Sequence, residues 1–348
     1  MQILHSAQSA FTEVSKIKDT TIGAIIHPHE LSQFWIEQAK NAKLDVLGLH
    51  PVGGVNADET LKSAIGTVAD NSFKQMLDEL RASGIAIEYE MHALSYMVPH
   101  TKEVFSLHPE WFRMNENGER IADYNVCASN LEVLELITQK SRELAEIFPS
   151  DTHLYHFWID DVENACCHCP KCREFSPSDQ ALMIYNAIAE GVKQADPLGK
   201  QCYLAYHEAL KAPEKIPPAN NIFLEYAPIG RDLTRPINDA DCEKNVREVS
   251  PLDGLLEFFG CENTKVLEYW LDNSLLSNWR QPIQPFTLTP EIIKQDVAFY
   301  HSLGIKNITT FACYLGEEYV QQNGDVPDIT GYTAAARVSQ DSNVAIVK

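Results

Sequence analysis

The chain has 348 residues, 45% of them hydrophobic, with a formal net charge of −21 and a pI near 4.9. This supplies a large core and excludes wholesale disorder. The acidity speaks against nucleic acid, which is bound by basic surfaces, and weakly against anionic membranes.

Eight apolar, β-branched stretches each run straight into histidine, carboxylate or aromatic residues. They are TTIGAIIHPH (20–29), LDVLGLHP (44–51), IAIEYEMH (85–92), HLYHFWIDD (153–161), KQCYLAYHE (200–208), NIFLEYAP (221–228), KVLEYWLD (265–272) and IKNITTFACYLGEE (305–318). Amphipathic stretches lie between them at 31–43, 71–84, 130–148, 179–195 and 289–304, with a shorter one in PLDGLLEFF. The last long one opens on Thr289 as an expected N-cap and Pro290, and Gly304 ends it. Strand–helix alternation of this kind predicts an α/β fold, a (β/α)8 TIM barrel over residues 20–335, with an extension at 1–19 and a tail at 336–348. Two connections are long, 93–129 after the third strand and 162–177 after the fourth, and loops at that end of a barrel shape the pocket. No run is long enough to span a bilayer. The N-terminus lacks a basic segment leading into an apolar one, so a cytoplasmic protein is expected.

Charged residues at strand ends are costly unless they have a partner or a task. Asp160 and Asp161 end the fourth strand, and Glu268 lies on the seventh. Paired carboxylates in unequal environments suit glycoside hydrolysis, one as acid and the other as base or nucleophile. The expected roles are Asp161 as acid, Asp160 as its partner and Glu268 as base or nucleophile. Residues expected to contact a sugar are His50, Glu90, His92, Trp111, Arg113, Trp158, Tyr206, His207, Glu208, Glu225, Tyr269, Trp270 and Glu317. Aromatic faces stack on the apolar faces of sugars, and carboxylates accept from hydroxyls. The plain alternative is that several of these are core aromatics or members of ion pairs. Arg113 or Arg120 could take a substrate carboxylate and so favour a uronic acid, or pair within their own loop.

The nine cysteines are an odd number, and four crowd into CCHCPKC (166–172), unlike a secreted disulfide framework. Cys166, Cys167, Cys169 and Cys172 resemble a metal knuckle. A structural zinc there is one reading, with Cys127 or Cys202 available to complete it, and packed free thiols are the other. No cofactor is required for the chemistry. A rival function is a metal-dependent barrel hydrolase or isomerase built on His27, His29 and His207, although the other ligands such barrels use are mostly missing. There is no G-x-G-x-x-G, P-loop or G-x-S-x-G, so nucleotide and serine-hydrolase chemistry has no support.

The blocks HPEWFRMNENGER, DYNVCASNLEVLELI, HFWIDDVENACCHCPKC, SDQALMIYNAIAEGV and NNIFLEYAPIGRD resemble an uncharacterised bacterial family of unknown function, placed beside α-glucuronidase and β-N-acetylhexosaminidase barrels. The resemblance covers about half the chain and implies a barrel acting on a glycoside, with a uronic acid or an N-acetylhexosamine as candidate sugars. Related hexosaminidases carry Asp-Glu after the fourth strand. Asp161 takes the second place here, so the resemblance also leaves room for a non-catalytic sugar-binding barrel. The expected partner is a carbohydrate, with no nucleic acid or membrane, and the sequence specifies no oligomer.

Overall fold

The computed structural model describes residues 20–338. The expected 1–19 extension lies outside them, as does the end of the expected tail. The last described helix, Ile329–Val338, runs across the boundary expected at 335.

Eight parallel strands close into a barrel in chain order. They are β1 Thr21–Ile26, β2 Val46–Leu49, β3 Ala86–His92, β4 Leu154–Trp158, β5 Lys200–Ala205, β6 Ile222–Tyr226, β7 Thr264–Glu268 and β8 Asn307–Phe311. Each pairs with the next and β8 returns to β1, so no sheet edge is left open. Seven of the expected stretches contain a strand whole, and β7 begins one residue before its stretch.

The helices form where caps and apolar stripes coincide. Asp70 accepts from the amides of Ser72 and Phe73 at the start of Asn71–Ala82, and Asn130 does the same for Glu132 and Val133 at the start of Leu131–Ile147. Pro177–Ala195 begins two residues earlier than expected, because Ser176 and Asp179 form a capping box with Pro177 in the first turn. Thr289 stands at the N-cap of Pro290–Ser302 but makes no side-chain cap bond. Leu131–Ile147 and Pro177–Ala195 pack closely at Gly191, where an added Cβ would come within 2.1 Å of the Thr138 carbonyl oxygen.

The barrel interior is charged. Alternate strand residues face the axis, which brings Glu88 and Glu90 of β3, His156 of β4, Glu225 of β6 and Lys265 of β7 together out of solvent. Lys265 Nζ donates to Glu88 Oε2 and Glu90 Oε1, each at 2.8 Å, and lies 3.6 Å from Glu225 Oε1. His156 is 3.2 Å from Glu88 and 2.9 Å from Glu225. Burial alone would raise the Glu88 and Glu225 pKa values, but the Lys265 and His156 charges more than offset it and hold both carboxyls below their ordinary range. Glu225 and Glu90 push His156 up against its own burial penalty and the Lys265 charge. Such a cluster persists because its members satisfy one another, and loss of one leaves the others exposed to the full desolvation cost.

The loop after β3 is folded rather than loose. Antiparallel bridges join Phe112 to Val126 and Met114 to Arg120.

Candidate active site

The carboxyl ends of the strands surround a cavity of about 710 Å3. Its wall begins with a repeated device. His27, His50 and His92 stand at the ends of β1, β2 and β3, and the Nδ1 of each bonds to a backbone carbonyl at the end of the next strand: His27 to His50 at 2.7 Å, His50 to Glu90 at 2.9 Å and His92 to Ile159 at 2.7 Å. A carbonyl only accepts, so each Nδ1 carries a proton, and in the neutral ring Nε2 is left as an acceptor. Burial lowers the His27 pKa to about 4, and burial together with the flanking imidazoles holds His50 well below its ordinary value. This side of the mouth is therefore a row of imidazoles in tilted and edge contacts, with ring centroids 5.7 Å and 6.1 Å apart.

Trp158, Tyr269 and Phe311 supply aromatic surface. The Trp158 indole N–H donates to Glu225 Oε2 at 2.9 Å, which fixes the ring from below. Tyr206 Oη donates to Asp161 Oδ1 at 2.8 Å and holds that carboxylate on the cavity wall. His207 follows in a left-handed conformation, φ 48°, with Nδ1 3.0 Å from Glu163. Held strain of this sort concentrates at functional sites. The Gly53 backbone lies against this wall. A Cβ there would sit 2.9 Å from His92 Cδ2 and 3.4 Å from Asp161 Oδ2, so the approach requires glycine.

A second carboxylate reaches the cavity four residues beyond the end of β7. Asp272 is buried and caps the short helix Asn273–Leu276 through Oδ1, which accepts from Ser274 N at 3.1 Å, Ser274 Oγ at 2.5 Å and Leu275 N at 3.2 Å. Burial raises its pKa to about 6. Glu30 lies nearby, pushed up to about 7 by burial, and accepts from the amides of His27 and Tyr314.

The mouth thus gathers His50, His92, Trp158, Asp161, Tyr206, His207 and Tyr269 from the expected residues, together with His27. Others fall elsewhere. Glu90 and Glu225 lie beneath the floor in the charged interior. Asp160 accepts from the amides of Ser95 at 3.0 Å and Asn125 at 2.6 Å, so it ties the β3 and β4 loops together. It borders a side cavity of about 50 Å3 with Glu208, which is held by the amides of Asn164 and Ala165.

Glu268 must be corrected. It is the last residue of β7 and faces outward, where it accepts from Arg231 Nη1 at 2.6 Å and Tyr300 Oη. Trp270 shares that outer face and donates to Asp296 at 2.8 Å. The period of two sends Leu267 and Tyr269 inward instead. Trp111 stacks on His108 at 3.8 Å and donates to Glu132. Arg113 forks onto Asp123, and Arg120 donates to the Phe112 carbonyl at 2.6 Å. Arg113 is spent in its own loop, and Arg120 turns to that loop and to the Cys167 sulfur. No Lys or Arg lines the cavity among the described residues. Glu317 is exposed at the start of a short helix.

The metal-enzyme ligands do not converge either. His29 is exposed and stacks beside His27, while His207 turns to Glu163. The groups near His27 are Glu30 and Cys313. The cysteine run also divides. Cys167, Cys169 and Cys172 turn inward to meet Cys127, Cys166 borders the side cavity, and Cys202 lies on β5 by His156 and Glu225. None of the nine cysteines is in a disulfide.

Glu30, Phe311, Cys313 and Gly53 do not stand out in the sequence. Asp272 ends the stretch KVLEYWLD, and Asp272-Asn273-Ser274 places an Asp two residues before a Ser at a turn, but the expectation fell on Glu268 four residues earlier.

No helix among the described residues is long and apolar enough to cross a membrane. No functionally curated protein matches the chain by sequence. Among solved structures, the barrel is similar to a β-galactosidase from Rahnella sp. R3 (TM-score 0.53, 14% identity, 94% of this chain and 56% of that one). It is also similar to an O-GlcNAc hydrolase from Thermobaculum terrenum (TM-score 0.50, 10% identity, 93% of this chain and 63% of that one). The chain spans less than two thirds of either neighbour. At this identity the likeness is one of fold, that of a (β/α)8 barrel. The model of the family described as a domain of unknown function, DUF4838, matches residues 69–310, well over half of the sequence, and the chain belongs to that family.

Proposed function

We propose that the protein is a glycoside hydrolase for an uncharged sugar, with Asp272 as general acid and Asp161 as its base or nucleophile. The observation that carries this is a pair of aspartates in unequal surroundings, both on one aromatic-walled cavity lined by no Lys or Arg among the described residues. Burial keeps a proton on Asp272 to about pH 6, where it can protonate a leaving glycosidic oxygen. Asp161, held by the Tyr206 phenol, faces the cavity as the carboxylate that attacks the anomeric carbon or takes a proton from water. Trp158, Tyr269 and Phe311 offer faces for the sugar ring, and the Nε2 atoms of His50 and His92 accept from its hydroxyls.

The test is turnover of a panel of neutral nitrophenyl glycosides, with N-acetylhexosaminides and a glucuronide included. At least one neutral sugar should be hydrolysed, and Asp161→Asn and Asp272→Asn should each cut kcat/KM by about 10^2-fold or more. Unchanged turnover in either variant removes that residue from its role. Hydrolysis of the glucuronide alone would overturn the neutral-sugar reading.

A further inference from the structure

We infer that Cys127, Cys167, Cys169 and Cys172 form a structural tetrathiolate zinc site that clamps the loop after β3 to the loop after β4. All four are buried, and their Sγ atoms lie within 4.8 Å of one another. Cys127 Sγ is 3.7 Å from Cys169 Sγ and 3.9 Å from Cys172 Sγ. Zinc bound by four sulfurs at about 2.3 Å requires sulfur–sulfur edges of about 3.8 Å, whereas bridged sulfurs stand about 2 Å apart. The spacing is that of a metal tetrahedron.

The surroundings suit thiolates rather than packed thiols. Met114 N donates to Cys167 Sγ at 3.3 Å, and Cys172 N donates to Cys169 Sγ at 3.4 Å. Arg120 Nη1 stands 3.8 Å from Cys167 Sγ. Four thiolates around one Zn2+ carry a net charge of −2, and amide donors and a guanidinium are the partners that charge calls for. On loading, the thiol protons leave to solvent and four Zn–S bonds form, with no change of oxidation state.

The clamp bears on the mouth. Asn125, two residues before Cys127, exchanges hydrogen bonds with Asp160, 2.6 Å from its own amide to Oδ2 and 3.1 Å from the Asp160 amide to its side-chain oxygen. Gln180 spans the other side, donating to the Cys167 and Cys172 carbonyls at 3.2 Å and 3.1 Å. The peptide that carries Asp160, and with it Asp161, therefore hangs between two metal-tethered segments.

Elemental analysis of the full-length protein, produced in zinc-supplemented medium, tests this. About one zinc per chain is expected. Cys127→Ser should lose most of it, while Cys166→Ser, which lies in the same sequence run but outside the tetrahedron, should keep its full complement. Because Cys127→Ser could fail to fold, the wild-type protein is also prepared with cobalt, where the intense visible bands of tetrahedral cobalt–thiolate coordination are expected. Chelation of the native protein should release zinc, expose four further thiols to a disulfide reagent and lower the melting temperature. Zinc-free protein that takes up none, a weak octahedral cobalt spectrum, iron in place of zinc, or zinc lost from Cys166→Ser and kept by Cys127→Ser would each overturn the assignment.

Discussion

Replacing Asp272 by Asn keeps the side-chain shape and the capping oxygen for Ser274 and Leu275 while removing a buried charge. Asn and Asp are equivalent N-caps, so the short helix should survive. Burial raises the Asp272 pKa from 3.8 to about 6, and at about 1.4 kcal/mol per pKa unit the charged form costs the folded protein about 3 kcal/mol. The folded state holds the proton more tightly than the unfolded one. Wild-type stability is therefore eroded as pH rises from about 4 to about 6, and the deficit persists above that. The Asp272→Asn variant escapes it. Urea denaturation should show this variant more stable than wild type by about 1–3 kcal/mol near pH 7.5, with the same m-value, and the two nearly equal near pH 4. The same variant should lose about 10^2-fold or more in kcat/KM. A variant less stable than wild type at pH 7.5, or a difference independent of pH, would refute the assigned burial cost. A more stable variant with intact turnover would leave that cost standing and remove Asp272 from the chemistry.

The charged interior gives a second expectation. Glu88, Glu90 and Glu225 face Lys265 and His156, and Lys265→Met takes the cluster from −1 to −2 with all groups ionised. The loss should be about 3–5 kcal/mol by chemical denaturation at neutral pH, partly restored by adding Glu90→Gln, and a loss under about 1 kcal/mol contradicts the argument. If Asp272 is the acid, kcat/KM falls as pH rises through about 6, because the deprotonated carboxylate cannot donate. A flat profile between about pH 5 and 8 excludes it. Gly53→Ala places a methyl 2.9 Å from His92 Cδ2, so KM should rise about 10-fold with little change in melting temperature, and an unchanged KM shows that the loop yields freely. Glu268→Gln should cost about 1–3 kcal/mol of stability through its bond to Arg231 while leaving kcat within about twofold, and a collapse of kcat in a folded variant would return Glu268 to the site.

What was legible in the sequence, and what was not, follows from the range over which each interaction acts. Strands announce themselves locally, by β-branched runs that stop at polar residues, and all eight lie where those runs are. His50, His92, Trp158, Tyr206 and Tyr269 were legible for the same reason, since each ends a run and the barrel places all such ends at one mouth. Glu268 shows the limit. It too ends a run, but its side is decided by Arg231 from a stretch with no clear pattern and by Tyr300 from a helix 32 residues on. Asp272 ends the same stretch, but it lies four residues beyond the strand, where the period of two no longer fixes its side and only its own capping turn returns it to the mouth. Cys127 meets Cys169 across 42 residues of chain, and only the folded β3 loop brings them together.

The strand-end carboxylates therefore divide by depth. Glu90 and Glu225 sit below the floor and answer to Lys265, while Asp161 stands on the wall at the level where a substrate would lie. Trp158 joins the two levels, with its ring on the cavity and its indole N–H on Glu225 Oε2. The ion cluster is then more than a tolerated burial of charge, because it fixes the position of the aromatic face at the floor. Disturbing Lys265 should reach the mouth through that indole. With five tryptophans in the chain, the Trp158 contribution is read as the difference in emission between proteins with and without Trp158→Phe. That difference should change in Lys265→Met under conditions where the variant is folded, and an unchanged difference refutes the link.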